Sequence, residues 1–258
     1  MEVGRGLRAV TAAAFTAMFA GAVALFGATL PTTQSAAVEL AAGELIEISP
    51  YAPCPVVGDL EGVFGPNRMP TYLQCIVPIV DQWLSMLDPG MPHPSGYYFI
   101  PSGVIYSGSG CEPLDSGALA YCPADAAVYL GADSVWDQYS RFGDGAPPTV
   151  IAHEVTHHIQ NMRGIPQDLE GRDLIPHENQ ADCGAGAFMA YSRNRGLMAR
   201  DDIYDLAGSL INAAESEGPG RVHGTVAERL NAFDLSYVSN LPVPLQACNA
   251  FVPSTPLI

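Results

Sequence analysis

The chain has 258 residues, of which 48% are hydrophobic and 15% charged, so it is long enough for one core that carries a cleft. The formal net charge is −16, and all 11 basic residues are arginine. So acidic a surface argues against nucleic acid or an anionic membrane surface as a partner, whereas basic peptides are compatible with it.

The first 37 residues have the pattern of a targeting segment. Arg5 and Arg8 precede an uncharged run over 9–30, and Ser35-Ala36-Ala37 offers small residues for cleavage. We expect 1–37 to be a signal peptide. The alternative is an uncleaved signal-anchor, because an uncharged run of this length can span a bilayer and would fix the protein to the membrane through 9–30. Both interpretations place the remainder of the chain outside the cytoplasmic membrane, secreted or in the cell envelope.

The rest of the chain divides into an irregular part and a folded part. Residues 38–70 are rich in proline and glycine, so we expect an irregular segment there and one domain over 71–258. The patterns predict a helix over 71–87, interrupted at Pro78, strands over 97–106 and 126–130, and helices over 133–141, 148–162, 177–194, 201–216 and 224–238. A few strands followed by helices predict an α+β fold, mostly helical with a small sheet.

The helix predicted over 148–162 carries the pattern His-x-x-x-His with a glutamate after the first histidine, at His153, Glu154 and His157. Residues four apart share one helix face, so the two imidazoles can hold a single metal ion. Glu154 points about 100° away from His153, where it can reach a water bound to that ion. Apolar residues at helical spacing give this helix a side to bury, which argues against a solvated surface helix.

A catalytic zinc ion usually takes three protein ligands and leaves a fourth position to water. The third ligand cannot follow the metzincin pattern, because this helix lacks the required glycine and third histidine. We predict that Glu178 on the next helix is the third ligand. Asp182, four residues later on the same face, is predicted to accept a hydrogen bond from a liganding imidazole. His177 is a rival ligand, disfavoured because its neighbour Glu178 has the acidic i+4 partner.

Several runs of the sequence resemble the bacterial neutral zinc metallopeptidase family. They are 150–161 around the HExxH motif, 178–186, and His223-Gly224-Thr225 with Arg229, while 121–130 resembles that family's approach to the active-site helix. The resemblance covers 95–251. It implies a zincin fold of the glutamate-liganded kind, distantly similar to thermolysin, with one Zn²⁺ per chain. The chain departs from the family pattern at Thr156, where glycine is usual; this residue points away from the ligands, so we expect an effect on packing or on the cleft wall and not on the metal.

The same chemistry assigns the remaining roles. Glu154 is the predicted general base, which takes a proton from the zinc-bound water and passes it to the leaving amine. His223 is the candidate donor to the oxyanion, and the alternative is an exposed loop histidine beside Gly218-Pro219-Gly220. Thr225 and Glu228 form a predicted capping box for the last helix.

Two further side chains are assigned to structure. Arg229 is expected to form a structural ion pair with a carboxylate. His158 points away from the ligand face and is expected to be a histidine on the side of the helix; contact with substrate is the alternative.

The cysteines number six: Cys54, Cys75, Cys111, Cys122, Cys183 and Cys248. An even count in an exported chain predicts three disulfides. Sequence alone leaves many connectivities open, and we favour Cys54–Cys75, Cys111–Cys122 and Cys183–Cys248. Zinc ligation by cysteine is rejected, because the chain has no CxxC pair.

These patterns together predict an exported zinc metallopeptidase that acts on peptides or proteins and has no nucleic-acid partner. The strand over 126–130 is expected to be an edge strand that pairs with extended substrate. Gly184 and Gly186 are expected to allow close approach of their helix to the HExxH helix. Two alternatives stay open: a catalytically silent, zinc-containing interaction protein of the cell envelope, and a hydrolase of cell-wall peptides.

Overall fold

The computed structural model of the chain describes residues 44–56, 59–167, 169–197 and 202–258. The predicted leader over 1–37, its candidate anchor over 9–30 and the predicted helix start at 201 lie outside these residues. Within the described ranges, no helix combines the length and the apolar character needed to cross a membrane.

The elements follow one another in the order expected of a small sheet that precedes a helical region. They are β1 (Ile46–Glu47), α1 (Met69–Leu87), β2 (Tyr97–Ile100), β3 (Ile105–Tyr106), β4 (Leu114–Asp115), β5 (Leu119–Cys122), β6 (Ala127–Gly131), α2 (Ala132–Phe142), α3 (Ala146–Met162), α4 (Ile175–Asn194), α5 (Asp202–Asn212) and α6 (Val226–Tyr237). Short 3₁₀ turns occupy 66–68, 171–174 and 244–250. The predicted α+β fold is confirmed.

The helices confirm most of the predicted ranges but not all of their ends. α1 runs without a break through Pro78, against the predicted interruption. The side chains of Tyr72 and Trp83 are buried on either side of that proline, and this packing outweighs the lost backbone hydrogen bond. α5 ends at Asn212, four residues before its predicted end, so residues 213–225 form a loop that leads to α6. We call this segment the 213–225 loop.

The main sheet has the strand order β1-β2-β6-β5, in which β2 and β6 are parallel and the other pairs antiparallel. β6 is therefore central, and the prediction that 126–130 is an edge strand is wrong. All five residues of β6 are buried, as expected of a strand that is paired on both sides. The edge next to α3 is β5, which sequence analysis missed.

The single strand predicted over 97–106 is also wrong, because the chain turns after β2. Gly103 has φ +79°, a left-handed conformation that favours glycine. The turn directs the following residues into β3, which pairs with β4 as a separate two-stranded sheet.

Helix α4 lies between α3 and α6, and glycine makes both contacts close. A Cβ atom on Gly184 would lie 2.0 Å from Thr156 Oγ1 of α3, which confirms the expected close approach. The same expectation for Gly186 is wrong, since a Cβ there would lie 2.2 Å from the Phe233 carbonyl oxygen of α6. Thr156 is fully buried against Gly184, and its hydroxyl donates to the Ala152 carbonyl at 2.8 Å. As expected, it affects packing between helices.

All three predicted disulfides are confirmed. Cys54 pairs with Cys75, Cys111 with Cys122, and Cys183 with Cys248. The last bond joins α4 to the 3₁₀ turn near the end of the chain, so it fixes one of the helices that carry the site described below.

Candidate metal centre

Three predicted ligand side chains converge between α3 and α4. The Nε2 atoms of His153 and His157 are 3.1 Å apart, and Glu178 places Oε2 3.3 Å from the first and Oε1 3.5 Å from the second. Two ligand atoms bound to one tetrahedral zinc ion at about 2.0–2.1 Å are themselves about 3.3–3.4 Å apart. The spacing and chemistry of this set therefore fit a single zinc ion.

The outer ring nitrogens are held by hydrogen bonds that direct both Nε2 atoms toward that point. His153 Nδ1–H donates to Asp182 Oδ1 at 3.0 Å, as predicted, and His157 Nδ1–H donates to Gln160 Oε1 at 2.8 Å. The Gln160 amide is itself fixed, because its Nε2 donates to the carbonyl of His177 and to Gln180 Oε1, each at 2.9 Å. Such partners fix the tautomer and the orientation of a metal-binding imidazole.

Sequence analysis missed Gln160. Its signal was available, since a residue three positions after a ligand lies on the same side of the helix.

Asp182 has a second partner, a buried cation. Arg229 of α6 donates from Nη2 to Asp182 Oδ1 at 2.8 Å and from Nη1 to the Ala213 carbonyl at 3.0 Å. Both side chains are almost fully buried, so each charge depends on the other. The structural ion pair expected of Arg229 is confirmed, and it ties α6 to the α3–α4 site.

The electrostatics of the cluster favour a positive charge where the ligand atoms meet. Burial alone lowers the pKa of His153, but hydrogen bonds to Asp182 and Glu178 outweigh it and raise that pKa to about 10. Burial alone raises the pKa of Glu178. The hydrogen bond to His153 and the charges of neighbouring histidines outweigh burial and hold that pKa well below the usual range. A divalent cation at the same point would be stabilised by the same groups.

Glu154 lies beside the three ligand side chains and is buried. Burial raises the pKa of its carboxyl group, against the opposing effect of His153 and His157. Its Oε2 accepts the backbone N–H of Tyr121, on edge strand β5, at 2.7 Å. Sequence analysis had no means to find this donor, because a backbone group carries no residue-type signal. The sheet edge thus holds one oxygen of the predicted base.

His223 reaches the same site from the 213–225 loop. Its Nε2 lies 3.6 Å from Glu178 Oε2, and its Nδ1 lies 3.1 Å from Glu215 Oε1. Glu215 also accepts the backbone N–H of Val222 at 3.0 Å, so the carboxylate holds both the loop and the imidazole. Glu215 was missed, because it falls in a segment predicted to be helical.

Contacts with α6 fix the C-terminal end of the 213–225 loop. As predicted, Thr225 and Glu228 form a capping box at the start of α6. Glu228 also pairs with Arg221, which is buried. The loop therefore reaches α6 with a defined path.

The two other histidines near the motif do not join the cluster. His158 is fully buried and hydrogen-bonded through Nδ1 to the Tyr121 hydroxyl at 3.2 Å and through Nε2 to the Pro92 carbonyl at 2.7 Å. Burial lowers its pKa, so the ring is neutral. His177 Nδ1 lies 3.3 Å from the Asp173 carbonyl. The expectation that neither is a ligand agrees with this geometry.

An HExxH helix, a carboxylate from the next helix and an adjacent sheet edge define a metal-binding protein of the zincin type. A family model described as "Putative neutral zinc metallopeptidase" matches residues 97–232, about half of the chain. The chain belongs to this family. The family name implies zinc, in agreement with the donor set.

Curated relatives come from several bacteria. The "Uncharacterized protein YpfJ" of Escherichia coli (strain K12) is 30% identical over 187 residues, which cover 60% of this chain and 62% of the relative. The "Uncharacterized protein Mb2605" of Mycobacterium bovis and the "Uncharacterized protein Rv2575" of Mycobacterium tuberculosis are each 28% identical over 219 residues, 70% of this chain and 71% of theirs. This chain therefore spans about three fifths of the E. coli relative. No solved structure matches the present chain.

Proposed function

We propose that the protein is an exported zinc metallopeptidase that hydrolyses peptide bonds with a metal-activated water. The observation that carries the proposal is Glu154, a buried carboxylate beside the ligand cluster that is not part of it. A purely structural zinc site has no need of a base. The family to which the chain belongs supports the same conclusion.

The metal would be held by His153, His157 and Glu178. A bound zinc ion lowers the pKa of its water and polarises the scissile carbonyl. Asp182 and Gln160 keep both imidazoles oriented with Nε2 toward the ion.

Glu154 takes the proton from the water and later delivers it to the leaving amine. Because the Tyr121 N–H already donates to Oε2, we assign the proton transfer to Oε1. The raised pKa of the buried carboxyl suits proton uptake, since a carboxylate that holds its proton weakly is a poor base.

His223 supplies a donor for the oxyanion of the tetrahedral intermediate. The Glu215 carboxylate lies 3.1 Å from Nδ1 and orients the ring, and an N–H on Nε2 is the donor that this role requires. That N–H lies on the side of Glu178, where the negative charge of the intermediate would develop.

An extended peptide is the substrate that the surroundings support. β5 is an edge strand that runs beside Glu154, and an extended segment can add to such an edge through backbone hydrogen bonds. Export is supported by the three disulfides, since such bonds persist in oxidising compartments.

The proposal is tested with the purified chain, its zinc content and a peptide library that includes cell-wall peptide fragments. We expect one zinc ion per chain, cleavage of unmodified peptides, loss of cleavage after chelation and recovery when zinc is restored. A protein that binds one zinc ion yet cleaves none of these substrates would contradict the proposal and favour the silent interaction protein. Cleavage confined to cell-wall fragments would replace the general peptidase by the cell-wall hydrolase.

A further inference from the structure

A cavity of ≈ 170 Å³ opens beside Glu154 and is lined by residues of β5, α2, α3, α4, α5, α6 and the 213–225 loop. It shares His153, Glu154 and His223 with the metal centre, so a peptide whose carbonyl reaches the metal presents a neighbouring side chain to it. Apart from the site residues, the lining is partly apolar and partly polar: Leu119, Val150, Ala185, Leu210 and Ala213, with Gln138, Thr149 and Ser209. A cavity of about 150 Å³ holds a benzene ring, so this one holds a side chain of medium size.

Three residues of the lining carry a buried polar atom without a hydrogen-bond partner among the described residues, Asp182 Oδ2, Arg229 Nε and Gln138 Oε1, and of these only Gln138 is uncharged and outside the ion pair. The residue is only 9% exposed, and its Oε1 is buried without a hydrogen-bond partner among the residues that the structure describes. Thr149 does not supply a donor, because its hydroxyl already donates to the Gly145 carbonyl at 2.9 Å. A buried carbonyl oxygen of this kind is unfavourable unless a ligand or a water donates to it.

We propose that the cavity receives the substrate side chain next to the scissile bond, and that Gln138 selects an uncharged side chain that carries a hydrogen-bond donor. Threonine, serine, asparagine and glutamine have this chemistry. The inference rests on the proposed peptidase function and names its substrate class. The apolar part of the wall, with Leu119 and Val150, packs against the aliphatic portion of the same side chain.

The charges around the cavity favour a neutral side chain. A cationic side chain needs a carboxylate whose charge is not balanced, but the Asp182 charge is balanced by Arg229, although Asp182 Oδ2 accepts no hydrogen bond from the described residues, and Glu154 accepts the Tyr121 N–H. An anionic side chain would meet the Gln138 oxygen and the Glu154 carboxylate, both of which repel it, while the Arg229 cation in the same lining is already paired with Asp182. A single amide oxygen satisfies a neutral donor and does not balance a buried charge.

The test compares peptides that differ only at one residue beside the scissile bond, Thr against the isosteric Val and Asn against Leu, at both flanking positions. For the zinc-loaded wild-type chain we expect kcat/KM to be about tenfold higher for the donor-bearing member of each pair, at one of the two positions. Gln138→Met keeps the size and removes the acceptor. We expect it to bring both ratios to about one, because the Thr and Asn peptides lose the acceptor that favours them.

Because the Gln138 side chain makes no hydrogen bond to any residue that the structure describes, Gln138→Met should fold like the wild type. Gln138→Glu is the matched control, because it keeps an acceptor and adds a negative charge. In this variant we expect kcat/KM for a Lys peptide to rise relative to that for the Thr peptide. A wild-type ratio near one, or a ratio that Gln138→Met leaves unchanged, would overturn the assignment.

Binding separates this inference from the proposed function. The same peptide pairs are titrated by calorimetry into zinc-loaded Glu154→Gln, with and without Gln138→Met. If the wild type cleaves nothing, the peptidase proposal fails, whereas a tenfold Thr preference in binding that Gln138→Met abolishes still supports the pocket. Equal binding of Thr and Val peptides overturns the pocket whether or not the wild type is active.

Discussion

Two histidine–carboxylate pairs flank the candidate metal centre, and they differ in burial while sharing their chemistry. His153–Asp182 spans 3.0 Å with side chains 11% and 0% exposed, and His223–Glu215 spans 3.1 Å with side chains 41% and 34% exposed. The first joins two packed helices, and the second lies within the 213–225 loop. Charge interactions are strong in a buried environment and weak where water screens them.

The difference in burial indicates that the two pairs have different roles. Under the proposed function, the buried pair would fix a metal ligand and, through its coupling to Arg229, would affect both metal binding and stability. The exposed pair would orient a donor at the edge of the cleft and would affect turnover alone. The predictions below test this difference in roles.

The largest effects are expected from two single variants, each of which removes the histidine of one pair. His153→Ala should lose zinc and at least about 10³-fold in activity, because a zinc ligand disappears. His223→Ala should keep one zinc ion per chain and lose about 10²-fold in kcat, the usual effect of one oxyanion donor. Metal analysis and steady-state kinetics check both.

His158→Gln, on the other side of the same helix, is the control and should keep zinc. Loss of zinc from His223→Ala to the extent seen in His153→Ala would abolish the distinction between the two pairs.

The next effect concerns the buried carboxylate. Asp182→Asn keeps an oxygen for His153 but leaves the buried Arg229 charge without a counterion. We expect the free energy of unfolding to fall by about 3 kcal/mol and zinc affinity to fall about tenfold. Denaturant unfolding and metal competition measure the two quantities. Asp182→Leu combined with Arg229→Met removes both charges and should recover part of the stability; no recovery would show that the ion pair is not the cause.

A smaller effect is expected at the exposed carboxylate. Glu215→Gln should lower kcat about tenfold, because His223 loses the charge that orients it. Zinc content should stay at one ion per chain, and the free energy of unfolding should change far less than in Asp182→Asn, as is typical of exposed pairs. A stability loss as large as that of Asp182→Asn would contradict the contrast in burial.

The smallest effect is a pH dependence of stability at the loop's attachment to α6. The Arg221 hydrogen bond, aided by the Thr225 N–H, lowers the pKa of Glu228 to about 2. A carboxyl group whose pKa is lower in the folded chain stabilises the fold above its unfolded pKa of about 4.3 and loses that contribution as the pH falls through the folded value. The stability difference between wild type and Glu228→Gln should therefore be constant above pH 5 and shrink toward pH 2. A difference that grows on acidification would have the wrong sign.

Both residues of the buried pair could be predicted from sequence, but only one residue of the exposed pair could. His153, His157, Glu178 and Asp182 lie on helices, where i+4 spacing alone determines which side chains share a face. His223 was found as a candidate, but Glu215 was not, because α5 stops at Asn212 and the loop conformation that brings the two together has no periodicity.

Other misses have the same origin. Strand β5 is four residues long and carries no clear alternation, so neither its edge position nor its Tyr121 N–H could be inferred. Gly186 was placed against the wrong helix, because small residues indicate a close contact without naming the partner. Gln138 lines a cavity that forms where several separate helices, a strand and a loop pack together, which the local sequence does not encode.

The most direct test of the central claim is the hydrolysis of one cleavable peptide by wild type and Glu154→Gln at equal, measured zinc content. Glutamine has nearly the same size as glutamate and leaves His153, His157 and Glu178 in place. The account predicts one zinc ion per chain in both proteins and a loss of about 10³-fold or more in kcat for the variant. A variant that retains zinc and cleaves the peptide at the wild-type rate would contradict the assignment of Glu154 as the base.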